Sequence, residues 1–279
     1  ITKSPMDLFS QCNFLAEKAL GFNSYFAFQN RYAMVQKRVM GAKSFQEITG
    51  YRRLDELSEK LDVFSTRILK EECLDLPQKI YMKRMVPLSD EQQKVYDQMR
   101  LQQICCGHFT PDVGEIRTLK NNRLNELLDI TDELQGKAII WASYTHDIQQ
   151  IASALRHRFG VEAVALYYGE TPQDQRQDIV ESFQDKDSPL RFFVGQPKTG
   201  GYGITLTEAT TVIYFSNSYD LEIRLQSEDR AHRIGQHHPV TYIDLVSPKT
   251  IDEKILKALR SKINLAEKVL GEDARQWLT

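Results

Sequence analysis

Ala138-Ile139-Ile140-Trp141-Ala142 is a short, unbroken apolar run between two stretches of helical pattern. Lys120–Leu134 before it and Asp147–Phe159 after it are amphipathic at helical period. Such a run reads as a strand buried on both faces rather than one that alternates between core and water. The alternation continues outward. Val161–Leu166 reads as a strand, and Pro172–Phe183 as a helix with Thr171 at the N-cap and Pro172 at its first position. Leu190–Val194, Thr211–Phe215 and Val240–Val246 read as further strands, and Ile251–Leu270 as a last long helix. Upstream, Ile80–Val86 reads as a strand. Ser89 and Gln92 form a capping-box pattern that opens a helix running to about Cys105. Gly107–Gly114 reads as loop, with His108 alone in it. The pattern predicts an α/β fold, a parallel sheet covered by helices on both faces.

The first 75 residues read differently. Pro5–Leu20, Phe22–Met40 and Leu54–Leu61 give helical patterns and predict a small helical subdomain ahead of an α/β lobe over residues 76–279. Phe22, Tyr25, Phe26, Phe28 and Tyr32 lie among Arg31, Lys37 and Arg38. Packing of the subdomain is the first reading of these rings, and stacking on the bases of a single strand the second.

The 36 Lys and Arg against 38 Asp and Glu give a net charge of −2, which counts against nucleic acid unless the bases are gathered in a cleft or carried by another part of the machine. Cys12, Cys73, Cys105 and Cys106 show no metal-ligand spacing, which predicts reduced, intracellular thiols and no bound metal. The sequence predicts neither a membrane span nor a secretory leader. Its opening on Ile1 suggests a portion of a longer protein.

In open parallel sheets, ligands gather beyond the carboxyl ends of the strands. Ser143 and Thr145 follow the first apolar strand; their hydroxyls suit a backbone phosphate or a helix cap. Gly169 and Arg176 follow the next, and suit either a phosphate or a simple turn. After Leu190–Val194 comes Lys198-Thr199-Gly200-Gly201-Tyr202-Gly203, whose amides suit an anion. Gln226–Gln236 reads Q-S-E-D-R-A-H-R-I-G-Q. If the helix continues through it, Gln226, Arg230 and Arg233 share one face, and Gly235 ends the helix. Two guanidiniums so placed suit a polyphosphate; the plain alternative is an exposed helix with an Asp229–Arg233 ion pair.

These stretches resemble the Swi/Snf-like DNA translocases of helicase superfamily two. KAIIWASYTHDIQQIASAL resembles the motif that opens their second lobe, and YYGETPQDQRQDIVESFQ the next block. TGGYGITLTEATTVIYF is similar to the double-glycine motif, though Thr199 and Thr205 stand where the family usually has alanine and asparagine. QSEDRAHRIGQ resembles the arginine-finger motif, SPMDLFSQ the segment after the lobe-one T-G-T-P block, LPQKIYMKRMVPLSDEQQKVY the linker into lobe two, and IDEKILKALRSKI the closing brace helix. The resemblance implies a RecA-like second lobe from an ATP-dependent translocase of double-stranded DNA. Arg230 and Arg233 would act as fingers on ATP. Gln226, Gly201 and Gly203 would lie at the nucleotide, and Ser143, Thr145, Gly169, Arg176, Lys198, Thr199 and Gly200 on the DNA backbone. Residues 1–75 would be a protrusion from the end of lobe one. No G-x-x-x-x-G-K-[ST] or D-E-x-H run is present. The resemblance therefore implies that an N-terminal ATPase lobe, absent from this sequence, holds the phosphates and Mg²⁺. A strand-separating DNA or RNA helicase is the nearest alternative, and a catalytically silent protein-interaction module is the one from another class.

Overall fold

The computed structural model describes residues 4–40, 43–66, 73–99, 101–111, 115–200 and 203–270. Residues up to 66 together with those from 260 form one compact unit, and residues 73–259 form the other. The strands in chain order are β1 (Ala33–Met40), β2 (Lys43–Tyr51), β3 (Lys79–Met85), β4 (His108–Phe109), β5 (Arg117–Thr118), β6 (Lys137–Trp141), β7 (Val164–Tyr167), β8 (Phe192–Gly195), β9 (Ala209–Tyr214) and β10 (Val240–Val246).

The larger unit is built on a six-stranded parallel sheet. The order across it is β3-β10-β9-β6-β8-β7, and every pairing is parallel. All five residues of β6 are buried, as a central strand with both faces covered must be. One face packs Ala138, Ile140 and Val194 against Ile148, Ile151 and Leu155 of the helix Thr145–Phe159. The other packs Ile139, Trp141, Phe193 and Val212 against Phe183 and Leu206. A Cβ on Gly195 would overlap the Tyr167 carbonyl oxygen, so the close approach of β8 to β7 requires glycine there. This is the α/β lobe that the apolar runs predict, with Val240–Val246 as expected and the ends of the other strands moved by one to three residues.

The capping box at Ser89 is present. Ser89 N donates to Gln92 Oε1 at 3.0 Å, and Gln92 N to Ser89 Oγ at 3.2 Å, ahead of the helix Asp90–Met99. The expected helix over Lys120–Leu134 is Asn122–Glu133, capped by the Asn121 side chain. The helix expected from Pro172 starts at Gln175 instead. Thr171 does not cap it: the Thr171 hydroxyl accepts from Tyr168 N and donates to Leu166 O, closing the preceding turn. Within the expected loop Gly107–Gly114, β4 forms and pairs antiparallel with β5. His108 is not alone: its Nδ1 lies 2.9 Å from Asp147 Oδ1, both residues being buried.

The smaller unit corrects the helical reading of Phe22–Met40. Helix Tyr25–Tyr32 stops at Tyr32, and the chain turns into an antiparallel hairpin of β1 with β2. β-Branched and aromatic residues at Val35, Val39, Phe45, Ile48 and Thr49 favour strands, and that preference overrides the helical spacing of the apolar residues. The packing reading holds for four of the five rings named above, with Phe9 as a further member that meets Tyr25 edge-on at 5.9 Å. Phe28 meets Phe9, Phe22 and Tyr32 at 5.5, 5.4 and 5.0 Å between centroids. Phe28 and Tyr32 are fully buried, while Tyr25 and Phe26 are exposed. The Tyr32 hydroxyl donates to Glu56 on the helix Leu54–Asp62.

The last helix is Ile251–Leu270, as the sequence predicts. Its first turn is anchored in the larger unit, where buried Arg123 pairs with Asp252 and donates to Ser247 Oγ and Phe215 O.

Candidate functional site

The loops expected to carry function leave the carboxyl ends of neighbouring strands. After β6, Ser143 N donates to Ser216 Oγ at 2.9 Å, which fixes the exit of β6 against that of β9. Helix Thr145–Phe159 begins at once, and no side chain caps its first turn. The capping alternative for Ser143 and Thr145 is therefore not taken up. Gln196, at the exit of β8, donates from Nε2 to Ser143 O at 3.4 Å and accepts from the Thr199 hydroxyl at 3.4 Å. Its backbone N–H also donates to Tyr167 O. One glutamine thus gathers three of the expected contact loops. Lys198 lies on the short helical turn Pro197–Gly200 and is exposed. Gly169 is exposed and has open space beside it. Arg176 is turned back on its own turn, donating to Thr171 O and Tyr168 O and lying over the Tyr167 ring. In this geometry Arg176 supports the turn. Gly201 lies outside the described residues.

The arginine segment departs from the expected helix. The helix Leu221–Glu228 ends before either arginine, and Arg230 and Arg233 lie in the turns that follow. Tertiary bonds take over from the helical repeat. The Gln236 amide donates to Thr207 O, Ala209 O and Ala231 O, and His232 Nε2 donates to Pro77 O at 2.7 Å. Gly235 sits at φ 99°, a conformation that closes the segment and disfavours any side chain. Gln226 donates to Glu222.

The glycine loop and the arginine segment are in contact. Leu206 N donates to Arg230 O at 2.9 Å, and Arg230 Nη1 to Ile204 O at 3.3 Å. Arg230 Nε also donates to Gln226 O. Gly203, directly before Ile204, has φ 76° and open space beside it. Burial, and next the charge of Arg233, pull the Arg230 guanidinium below the ordinary arginine range. Arg233 is exposed. The pair therefore divides into one guanidinium held half-buried by carbonyls and one presented to solvent, with their charges close enough to repel. Such a pair is suited to an anion with more than one charge.

Below this segment lies a polar network that the sequence reading missed. Arg224 donates to both carboxylate oxygens of Asp244 at 2.6 and 3.1 Å, to Glu228 Oε1 at 2.9 Å and to Asn217 Oδ1 at 2.7 Å. Its guanidinium lies 3.4 Å from the Tyr214 ring centroid. Glu228 Oε2 accepts from Lys79 Nζ and the Tyr81 hydroxyl. The spacing of Arg224 and Glu228 is that of an ordinary surface pair, so only the partners on β3 and β10 reveal that it is buried.

Burial by itself raises the Glu228 carboxyl; Lys79, Arg224 and Tyr81 outweigh it and hold the group below the usual carboxylate range. A depressed folded-state value stabilises the fold above the unfolded value of about 4.5, and that stabilisation is lost as pH falls through the folded value. Glu228→Gln should therefore flatten the acid limb of stability. Urea unfolding from pH 6 to pH 3 checks this, and parallel slopes for the two proteins would refute it.

With this geometry in place, the comparisons identify the class. Residues 119–235 match the helicase conserved C-terminal domain, a span from the end of the short β-ladder through Gly235. The chain carries a C-terminal helicase lobe.

That lobe is of the Swi/Snf-like kind. The chain is 31% identical over 222 residues to the ATP-dependent helicase fft1 of Schizosaccharomyces pombe, covering 74% of this chain and 21% of that protein. It is 30% identical over 149 residues to the human SWI/SNF-related matrix-associated actin-dependent regulator of chromatin subfamily A member 1, covering 53% of this chain and 14% of that protein. The crystal structure of the C-terminal part of the Fun30 ATPase domain shares the fold. Its TM-score is 0.56 at 18% identity, over 70% of this chain and 97% of that one. The chain spans only 11–28% of the length of the first three curated relatives it matches. Among the described residues, no helix is long and apolar enough to cross a membrane, and no cluster of His, Cys, Asp or Glu is arranged to hold a metal.

Proposed function

We propose that this chain is the C-terminal half of an ATP-dependent translocase of double-stranded DNA. In this reading residues 1–75 are a protrusion from the end of lobe one, and residues from 76 are the second lobe. Arg230 and Arg233 act on the γ-phosphate of ATP held by an N-terminal lobe, which also holds Mg²⁺. They neutralise charge that develops on the transferring phosphoryl oxygens. Gln226, Gly201 and Gly203 lie at the nucleotide. Ser143, Thr145, Gly169, Lys198, Thr199 and Gly200 follow the DNA backbone, and Arg176 holds the turn that presents Gly169.

The observation that carries this reading is the bonding of the glycine loop to the arginine segment through Leu206, Ile204 and Arg230. It couples a nucleotide-facing segment to the loop that follows the candidate DNA-backbone residues. A change at one is then felt at the other. Backbone contacts carry no base information, so DNA binding should be weakly sequence-dependent and strongly salt-dependent.

The sequence supplies neither a phosphate cradle nor an acidic metal motif. The 279-residue chain alone should therefore show no DNA-stimulated ATP hydrolysis, and should gain it when joined to its N-terminal lobe. Phosphate release measured with and without duplex DNA tests both halves. Turnover by the purified chain above that of a mock preparation would overturn the reading. On the joined protein, triplex displacement without strand separation distinguishes a duplex translocase from a strand-separating helicase.

A further inference from the structure

The β1–β2 hairpin of the smaller unit has no role in the reading above, and its surface is unusual for this chain. Residues 31–53 hold Arg31, Lys37, Arg38, Lys43, Arg52 and Arg53 against one acid, Glu47, although the whole chain has more acids than bases. Apolar side chains stand among them in solvent: Val39 is 72% exposed, Phe45 47% and Met34 46%. Val35 and Val39 share one face of the hairpin with Lys37, and Arg38 faces Phe45 across the strands on the other. Two-stranded hairpins are marginal in water unless something covers them. Ala33, Ile48 and Tyr51 anchor the base of this one in the aromatic core, while the outer part carries both charge and apolar surface outward.

We propose that this hairpin is a second duplex-DNA-binding element, resting on the assignment of the chain to a DNA translocase. Its bases meet phosphates, and its exposed apolar residues lie against the groove. Charge complementarity favours a polyanion: a chain of net negative charge concentrates its bases here. The mixture of charge and apolar surface favours a duplex, since architectural proteins pair cationic contacts with apolar side chains set against stacked bases. The arrangement also recasts the stacking alternative for the aromatic segment. Of the rings in that segment Phe28 and Tyr32 are inside, while Tyr25 and Phe26 reach solvent together with the strand that follows.

The test is a salt titration of duplex binding by the full 279-residue chain, read by fluorescence anisotropy with a duplex of about 30 base pairs. Arg31 and Arg38 already face Glu56 and Glu47, so the variants fall on other bases. Lys37→Glu with Arg53→Glu should weaken binding about tenfold at about 0.1 M salt and lower the log–log salt slope by about two. Both positions are exposed, so the melting temperature should not move. Val39→Ser with Phe45→Ser should weaken binding about threefold and leave the slope unchanged. Lys198→Glu, on the other unit, reports separately on the translocase reading. If it weakens binding while the hairpin variants do not, the hairpin proposal is overturned and the translocase reading stands. If the hairpin variants weaken binding while Lys198→Glu does not, the hairpin is supported and the backbone track is in error. Equal losses on a single strand of the same length, or loss of self-association in place of DNA binding, would also overturn the proposal.

Discussion

Arg233→Ala should lower DNA-stimulated ATP hydrolysis by about 10³-fold or more in a protein that joins this chain to its N-terminal lobe. That loss corresponds to about 4 kcal/mol of transition-state stabilisation. Arg233 is exposed on the turn after the helix Leu221–Glu228, so its truncation should leave the melting temperature almost unchanged. Arg230→Ala should behave differently. Its guanidinium holds Gln226 O and Ile204 O, so truncation frees two carbonyls and loosens the glycine loop as well as removing a charge. The pair is thus expected to separate: one variant loses turnover alone, the other loses turnover and stability. Arg233→Lys should not restore the rate, because an ammonium keeps the charge but not the planar fork. Steady-state kcat with saturating duplex, beside thermal unfolding of the same samples, decides. A kcat for Arg233→Ala within about threefold of the parent would end the finger assignment.

The sheet was legible because its strands are buried on both faces. Ala138–Ala142 has no polar residue to blur its reading, and the neighbouring strands repeat the pattern. The hairpin was not legible, because Val35, Val39 and Phe45 fit helical spacing nearly as well as a strand does, and only pairing with Lys43–Tyr51 chooses between them. The arginine segment shows a third case. Its residue types announced chemistry, but its conformation is set by bonds from His232 to Pro77 and from Gln236 to Thr207, partners 155 and 29 residues away. Local periodicity carries no trace of such contacts. The same holds for His108, which reads as a lone loop histidine until Asp147 is brought to it by the fold.

Asp244→Ala should destabilise the larger unit by about 3–5 kcal/mol, because it leaves Arg224 buried without its principal counter-charge. Arg224, Glu228 and Asp244 are all at or near full burial. Burial by itself lowers the Arg224 guanidinium, but Asp244, Tyr214 and Glu228 raise it well above the ordinary arginine value, and an arginine sheds its proton too reluctantly to become neutral when one partner is lost. Arg224 is 3% exposed, and Glu228 is already shared with Lys79 and Tyr81. Replacing the pair together, Arg224→Met with Asp244→Leu, removes the uncompensated charge and should recover much of the stability. Recovery of stability need not restore turnover. Ser227 and Glu228 end the helix from which the arginine segment departs, and the Tyr242 hydroxyl holds Glu228 O from β10. If the network also aims Arg230 and Arg233, the double variant should be well folded yet slow. Urea unfolding of the single and double variants, with kcat measured on the joined protein, separates folding from aim. A cost below about 1 kcal/mol for Asp244→Ala would show that the network is not held as tightly as its geometry requires.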